Sequence, residues 1–289
     1  MPDAENHNVD ALLPPEMAER AEKVGVAKTR NALPKLMMLA ILAGAFVGFG
    51  SLFSLVVTAG AEGVLPYGVT RLLGGVAFSL GLILIIVGGA ELFTGNNLMV
   101  MACASGKVSV GEVLRAWAFV YVGNFIGAVG LALLVFLAAG YGHGAGSVGR
   151  AVLVSADAKM ALPALQSLIH GLLANVLVCL ATWLCFSARS TADKILAIVP
   201  PIAAFSAAGF EHSIANMYLL ALALLTKLGA PPEFWISLGQ AQADFVHINA
   251  VLMFKNLFWV TLGNMIGGGL VGISYWFIYL RNPGTGRSL

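Results

Sequence analysis

The sequence is poor in charge, and this deficit is its most informative property. Only 10% of the 289 residues are Asp, Glu, Lys or Arg, whereas 59% are hydrophobic. Soluble domains carry about 25% charged residues, so the composition argues against an ordinary soluble enzyme or binding protein. The net charge of +2, without a basic patch, gives no support for a nucleic-acid partner.

Cysteines and chemical motifs are also scarce. The three cysteines, Cys103, Cys179 and Cys185, lie in or beside apolar stretches, so no disulfide framework is expected. No cluster with metal-ligand spacing and no glycine-rich phosphate loop in its proper context occurs, so we expect no cofactor, no metal and no enzymatic activity. Residues 1–33 are polar and acidic, which does not fit a cleavable signal peptide.

What the chain does contain is long apolar runs. Four uncharged stretches, 36–61, 116–149, 160–188 and 256–280, each exceed the roughly 20 residues that a helix needs to cross a bilayer. Two stretches of similar length, 72–106 and 195–226, each contain one internal charge, Glu91 and Glu211. The sequence therefore predicts an all-α membrane protein with six transmembrane helices, of which the second and fifth are broken, in a domain spanning 34–281.

Two motif pairs indicate an internal repeat. GAELFTGN at 89–96 and GFEHSIAN at 209–216 share the pattern G-x-E-x-x-x-x-N, and G-N-x-I-G recurs at 123–127 and 263–267. One pair could arise by chance in a chain with 34 glycines, but two pairs in the same order argue against chance. Three spans per half make the repeats inverted, and broken helices at corresponding positions indicate a substrate path near the membrane midplane.

The positions of Lys and Arg predict the orientation. With a cytoplasmic N-terminus, only five of the 16 fall outside: Arg71, Arg150, Lys159, Lys227 and Lys255. Both termini, including the tail 282–289, are then cytoplasmic, and the protein belongs in the inner membrane.

Residues 1–33 form the predicted cytoplasmic N-terminal segment. Between Pro14 and Arg30 the apolar side chains of Met17, Ala21 and Val24 share one helical face, which predicts a short amphipathic helix. We expect it on the membrane surface, with Lys23, Lys28 and Arg30 near headgroups. The alternative is that this helix lies over the mouth of a pore.

Longer segments resemble a known family. FSLGLILIIVGGAELFTGNNLM at 78–99, AAGFEHSIANM at 207–217 and NLFWVTLGNMIGGG at 256–269 resemble signatures of the formate/nitrite transporter family, and most of all its formate channel branch. The likeness extends over essentially the whole chain. It implies an aquaporin-like protomer, a homopentamer with one pore per protomer, and transport of small monovalent anions.

The breaks contain the predicted centre of the pore. An anion that sheds its hydration needs donors, and broken helix ends supply them, so Thr94 and His212 are candidate midplane donors. The resemblance makes them a facing central pair. It also implies that apolar side chains in the pathway form constrictions near this pair, namely Phe78, Leu82, Leu92, Phe93, Val178 and Phe205, and Asn175 joins the predicted pathway.

Glu91 and Glu211 pose a different problem, because a carboxylate lining the path would repel an anion. We expect both to point away and to accept hydrogen bonds from their own unwound loops, although a proton relay is the alternative. Asn96 and Asn216, like Asn124 and Asn264 in the third spans of each half, fit the same stabilising role.

Two lysines complete the predicted site, and one histidine departs from the pattern of the family. Lys28 and Lys159 match positions that the family keeps basic near the two mouths, although either could be a solvated surface lysine. His170 stands where the formate branch is expected to have an apolar residue. It is either a helix-packing group or an additional titratable site near the outer vestibule.

The predicted function is therefore a channel for formate and similar weak-acid anions. Its predicted partners are the lipid bilayer and anions such as formate, nitrite, hydrosulfide, acetate and lactate. Nitrite or hydrosulfide as the main substrate remains open within the family. A proton-coupled secondary transporter, with Glu91, Glu211 and His212 as a relay, is the alternative from another class.

Overall fold

The computed structural model describes residues 11–281. The predicted tail 282–289 and the first ten residues of the N-terminal segment lie outside the described residues. Within the described range every regular element is helical. The α-helices are α1 (Pro14–Thr29), α2 (Leu33–Thr58), α3 (Tyr67–Gly88), α4 (Val100–Ala104), α5 (Val110–Leu137), α6 (Ser147–Ala161), α7 (Ala164–Ser187), α8 (Thr191–Ala207), α9 (Ser213–Gly229), α10 (Pro232–Leu238) and α11 (Ala250–Tyr279), with short 3₁₀ helices at Gly95–Met99, Gly140–Gly142 and Gln242–Asp244.

Five of these helices, α2, α3, α5, α7 and α11, are long and apolar enough to cross a membrane. The predicted fifth span is divided between α8 and α9, which have 17 residues each and are too short to cross alone. The axes of α9 and α10 are bent by 107° relative to each other. Only when the two helices are counted together are they long and apolar enough to cross a membrane. The all-α membrane fold is thus confirmed.

Each predicted break is present and contains one of the two glutamates, Glu91 or Glu211. Residues 89–94 separate α3 from the 3₁₀ helix Gly95–Met99, and residues 208–212 separate α8 from α9. Gly89 has a φ of 80° and Gly209 a φ of 75°, a left-handed conformation that glycine adopts without steric cost. The first glycine of each repeated motif therefore turns the chain out of its helix.

The two halves repeat the same packing scheme. In the first half α2 packs against α3 and α5, and in the second half α7 packs against α8 and α11. A Cβ at Gly127 would overlap the Ile41 carbonyl oxygen, and one at Gly263 would overlap the Leu168 carbonyl oxygen. The repeated G-N-x-I-G motif therefore permits close helix contact in both halves. The opposite direction of the second repeat stays a prediction.

The helix boundaries correct the prediction for the third span. The uncharged stretch 116–149 suggested one long helix, but α5 begins at Val110 and ends at Leu137. A capping box between Ser109 and Glu112 starts it early, so the charged Arg115 lies inside the helix. The connecting helices α6 and α10 were not predicted, because dividing the chain at its charges detects only long uncharged runs, whereas α6 contains Asp157 and α10 contains Glu233.

The predicted N-terminal helix is present as α1, and it packs on the bundle. Met17, Ala18 and Ala21 are buried against α4, α7 and α11. Lys23 is exposed, as expected. The expected headgroup position of Lys28 is wrong, because its amine is ion-paired inside the protein with Glu91.

Candidate functional site

The two helix breaks meet at Thr94 and His212. The Thr94 hydroxyl oxygen lies 2.8 Å from Nε2 of His212, although the residues are 118 positions apart. Both side chains are buried. The breaks at 89–94 and 208–212 therefore converge on one polar contact, the arrangement that the family resemblance implied for this pair.

Backbone hydrogen bonding indicates which ring nitrogen of His212 carries the proton. The amide N–H of Ala215 donates to Nδ1 of His212 at 3.2 Å, so this nitrogen acts as the acceptor that caps α9. In a neutral imidazole the other nitrogen then carries hydrogen. The tautomer assigned from these bonds has Nε2–H donating to the Thr94 hydroxyl.

Two asparagines hold the breaks in the same way. Asn124 accepts from the Phe93 amide and donates to the carbonyls of Ala40 and Glu91, at 2.7 to 2.9 Å. Its counterpart, Asn264, follows the same pattern. It accepts from the backbone amide of Ser213 and donates to the backbone carbonyls of Gly171 and Glu211. These bonds satisfy backbone groups that lipid could not satisfy, which agrees with the role predicted for both asparagines.

Glu91 is buried in the first break and is neutralised there. Its Oε2 accepts from the Lys28 amine at 2.9 Å and from the side-chain amide nitrogen, Nδ2, of Asn96 at 2.8 Å. Lys28 also donates to Oδ1 of Asn96 at 2.7 Å. The Asn96 bond matches the expected link within the loop, whereas the ion pair with α1 was not foreseen.

Glu211 repeats this arrangement in the second break. The Lys159 amine, at the end of α6, donates to one carboxylate oxygen at 2.5 Å, and the Asn216 amide donates to the other at 2.6 Å. Asn216 is in turn bonded to Asn256. A buried carboxylate needs such partners, so each vestibule lysine is also a structural counter-ion.

A narrow apolar chamber lies beside the central pair. Its volume is only about 10 Å³, close to the minimum of about 10–15 Å³ that one water needs. The rings of Phe78 and Phe205 meet edge to face at 5.4 Å. Six of the predicted pathway residues line the chamber: Phe78, Leu82, Leu92, Val178, Phe205 and His212. Thr94 is not among the lining residues and contacts the chamber through His212.

A larger cavity of about 340 Å³ lies on the side of the bundle that carries α1. It shares Leu82, Ile85 and Leu92 with the chamber, so these side chains separate the two spaces. Lys28 and Glu91 also line it. The cavity lies on the side that the sequence predicts to be cytoplasmic, and we call it the inner vestibule.

Two predicted pathway residues, Phe93 and Asn175, line neither the chamber nor the inner vestibule. The Phe93 ring packs edge to face against Trp117 and Tyr121, at 6.1 and 5.0 Å. It is not among the residues that line the chamber or the inner vestibule. Its backbone amide is bonded to Asn124 and its ring contacts α5, so its predicted place in the pathway stays a prediction.

Asn175 also has a structural position. Its Nδ2 donates to Oδ1 of Asn97 and to the Asn264 carbonyl, both at 2.7 Å, and it lies 3.3 Å from the Thr94 carbonyl. These bonds link the first break to α11. Asn175 holds Thr94 in place and is not among the residues that line either cavity.

His170 packs next to the second break. Its Nδ1 lies 3.2 Å from the Gly209 carbonyl oxygen, its ring meets Phe210 edge to face, and its own carbonyl accepts from the Glu211 amide. These contacts favour the helix-packing interpretation over a separate titratable site.

Sequence reasoning missed the role of Arg71. Its guanidinium donates to the carbonyls of Ser206 and Ala207, at 2.6 and 3.1 Å. These carbonyls lie at the C-terminal end of α8, where a cation is stabilising, and the Ser206 carbonyl also accepts from the Gly209 amide. The residues are about 135 positions apart, and no local signal connects them. Among residues 11–281 no group of His, Cys, Asp or Glu could hold a metal ion.

Comparison with known proteins identifies the family. A family model described as formate/nitrite transporter matches residues 15–277. The chain is 44% identical to the formate channel FocA of Escherichia coli strain K12 over 274 residues, covering 94% of this chain and 96% of the relative. It is 31% identical to the formate channel BtFdhC of Bacillus thuringiensis, and the aligned region covers 93% of this chain and 96% of the relative.

Solved structures agree with these relatives. A pentameric formate channel with formate bound superposes with a TM-score of 0.82 at 44% identity, covering 86% of this chain and 98% of that chain. A second solved structure, an FNT family ion channel, superposes with a TM-score of 0.75 at 30% identity. The superposition covers 91% of this chain and 98% of that chain. The family model covers most of the chain and the relatives are similar over nearly their whole length, so the chain belongs to the formate/nitrite transporter family.

Proposed function

We propose that the protein is a channel for formate and similar small monovalent weak-acid anions. The observation that carries this proposal is the chamber in which a single imidazole, bonded to Thr94, stands among apolar side chains between two broken helices. The 44% identity with a formate channel supports formate as the substrate.

The path runs from the inner vestibule past Leu82 and Leu92 to His212, and then past Phe78 and Phe205. Apolar constrictions exclude water, so a bare anion there is strongly disfavoured. Protonation removes this cost, because the neutral acid carries no charge. Carboxyl groups have a reference pKa near 4, so at neutral pH formate must acquire its proton within the protein.

His212 is the group that we assign to this transfer. A second proton on the ring would occupy Nδ1 and break the bond from the Ala215 amide, so the cationic ring is destabilised where it stands. In the proposed step the ring takes up a proton from the aqueous vestibule, and a formate in the chamber accepts one of the two ring protons and crosses as the neutral acid. The imidazole is then neutral again, and Nδ1 can accept from the Ala215 amide as before. Thr94 orients the ring through Nε2, which makes it a positioning residue in this mechanism.

The proton relay through the glutamates has less support. Glu91 and Glu211 are each bonded to a lysine and an asparagine, so both carboxylates are neutralised by fixed partners. Neither Glu211 nor Lys159 lines the chamber. A channel is therefore favoured over a carrier that depends on these carboxylates. Nitrite, hydrosulfide, acetate and lactate are further candidate anions, because the path selects by size and charge.

The proposal includes the cellular setting. The excess of Lys and Arg on one side supports an inner-membrane protein with both termini in the cytoplasm. The superposition on a pentameric formate channel supports a homopentamer with one pore in each protomer.

Flux measurements in proteoliposomes test this function. Formate, nitrite, hydrosulfide, acetate and lactate would be compared at equal concentration, with empty liposomes as the control. We expect formate flux that rises linearly with concentration and proceeds without an imposed proton gradient. Saturable flux that stops when the proton gradient is abolished would replace the channel with a carrier.

A further inference from the structure

The inner vestibule has more positive charge than a monovalent substrate requires. Its lining contains three cations, Arg20 and Lys28 from α1 and Lys194 from the first turn of α8, but only one carboxylate, Glu91. Lys28 is ion-paired with Glu91. Among the described residues, no ion pair to a carboxylate is formed by Arg20 or Lys194, so two positive charges are unmatched.

The vestibule is also larger than a monovalent anion requires. It encloses about 340 Å³, whereas the chamber beyond Leu82 and Leu92 holds about 10 Å³. A tetrahedral oxyanion or a short dicarboxylate fits the first space and not the second. Its desolvation is also more costly, because the cost of burying an ion grows steeply with its charge. Such an anion can occupy the vestibule without crossing.

We propose that the inner vestibule is a binding site for small divalent anions, which bridge α1 and α8 and block the path. The divalent charge matches the two unpaired cations, Arg20 and Lys194. Arg20 already contacts the α7 end through the Phe186 carbonyl at 3.3 Å, so its guanidinium is positioned over the cavity. An anion bound there closes the vestibule between α1 and α8. This regulation rests on the proposed channel function, whereas binding itself does not.

Sulfate is the probe, since it stays divalent from pH 5 to 8 and does not cross as a weak acid. Perchlorate has the same tetrahedral shape with one charge and serves as the matched ion. Formate flux is measured with each ion on one side of the liposome membrane, at constant ionic strength. We expect sulfate to inhibit from the α1 side only, and perchlorate to inhibit at least about tenfold more weakly.

Variants locate the site. Arg20→Gln and Lys194→Gln should each raise the half-inhibiting sulfate concentration about tenfold, because each removes one charged hydrogen-bond donor. Lys23→Gln is the matched control, since Lys23 is an exposed lysine of α1 that does not line the vestibule. Its sulfate sensitivity should equal that of the wild type.

Calorimetric titration of sulfate into detergent-solubilised protein separates this proposal from the proposed function, because it requires no flux. Binding by the wild type that weakens in both glutamine variants, with unchanged gel-filtration profiles, supports the site even if formate is not transported. Absence of sulfate binding, equal binding in the Arg20→Gln/Lys194→Gln double variant, or equal inhibition from both sides overturns it.

Discussion

The Thr94 hydroxyl and the Nε2 atom of His212 lie 2.8 Å apart, and this bond joins the two broken helices at their centre. The opposite ring nitrogen caps α9 by accepting from the Ala215 amide. His212 therefore combines two roles in one ring: it stabilises a helix end through Nδ1, and it lines the apolar chamber while Nε2–H is bonded to Thr94.

Substitution of His212 separates these roles. His212→Phe removes the titratable ring and the cap, so we expect it to abolish the pH dependence of formate flux and to destabilise the fold by about 1 kcal/mol. His212→Asn retains an oxygen that can cap α9, so a pore that passes the bare anion with altered pH response is expected. Proteoliposome flux from pH 5 to 8 is the measurement, and a wild-type pH profile in either variant contradicts the role.

Thr94 is tested by two substitutions of similar size. Thr94→Val keeps the shape of the side chain but leaves the Nε2–H of His212 without its partner, so we expect formate flux to fall about tenfold. Thr94→Ser keeps the hydroxyl and should retain most of the flux. If valine and serine behave alike in the flux assay at equal protein amounts, Thr94 does not position His212.

Phe78 and Phe205 are expected to set the upper size limit of the substrate. Shortening either to alanine enlarges the chamber, so lactate flux should rise relative to formate flux. Phe93→Ala is the matched control, because this buried ring packs against Trp117 and Tyr121 instead. The control should lose stability without a change in the lactate to formate ratio. An unchanged ratio in both chamber variants would remove these rings from the path.

Lys159 is expected to act in two ways. As a cation near the outer mouth it should attract anions, so Lys159→Ala should slow flux most at low ionic strength, where screening is weakest. As the partner of Glu211, which is 2% exposed, its loss should destabilise the protein by about 3–5 kcal/mol.

The double variant Lys159→Ala/Glu211→Gln distinguishes these two roles. It removes the uncompensated carboxylate, so thermal unfolding in detergent should recover towards the wild-type midpoint. The site then has the same net charge as the wild-type ion pair, so a flux defect that persists reflects the lost amine as a contact for the anion. Recovery of both properties would assign Lys159 a structural role alone, and recovery of neither would contradict the ion pair.

The glycines of the repeated motif are expected to fix the helix spacing. Gly127→Ala and Gly263→Ala place a Cβ against a backbone carbonyl of the neighbouring helix, so each should cost several kcal/mol and lower the unfolding midpoint. Gly130→Ala and Gly269→Ala, on the same two helices, meet no atom within 4 Å and are the controls. Equal effects in test and control positions would show that close packing does not depend on the motif.

Local signals were sufficient for the membrane helices and their breaks. An uncharged run of sufficient length predicts a span regardless of its neighbours, because each backbone group must be bonded within the helix in lipid. A glycine followed two residues later by a carboxylate interrupts such a run locally, so the breaks at Glu91 and Glu211 could be predicted from the sequence. The helix of residues 14–30 was also predicted, since its apolar face has helical periodicity.

The contacts between distant segments were decided only by the tertiary structure. Lys28 is 63 positions from Glu91, and Lys159 is 52 positions from Glu211, so no periodicity connects the members of either pair. For Phe93, the sequence places an aromatic next to Thr94, but only the path of the backbone past Asn124 decides that the ring packs against α5. The sequence by itself determined which segments are long membrane helices and where two of them break, because those properties depend on near neighbours. The packing of helices determined which side chains contact a charge and which line the chamber.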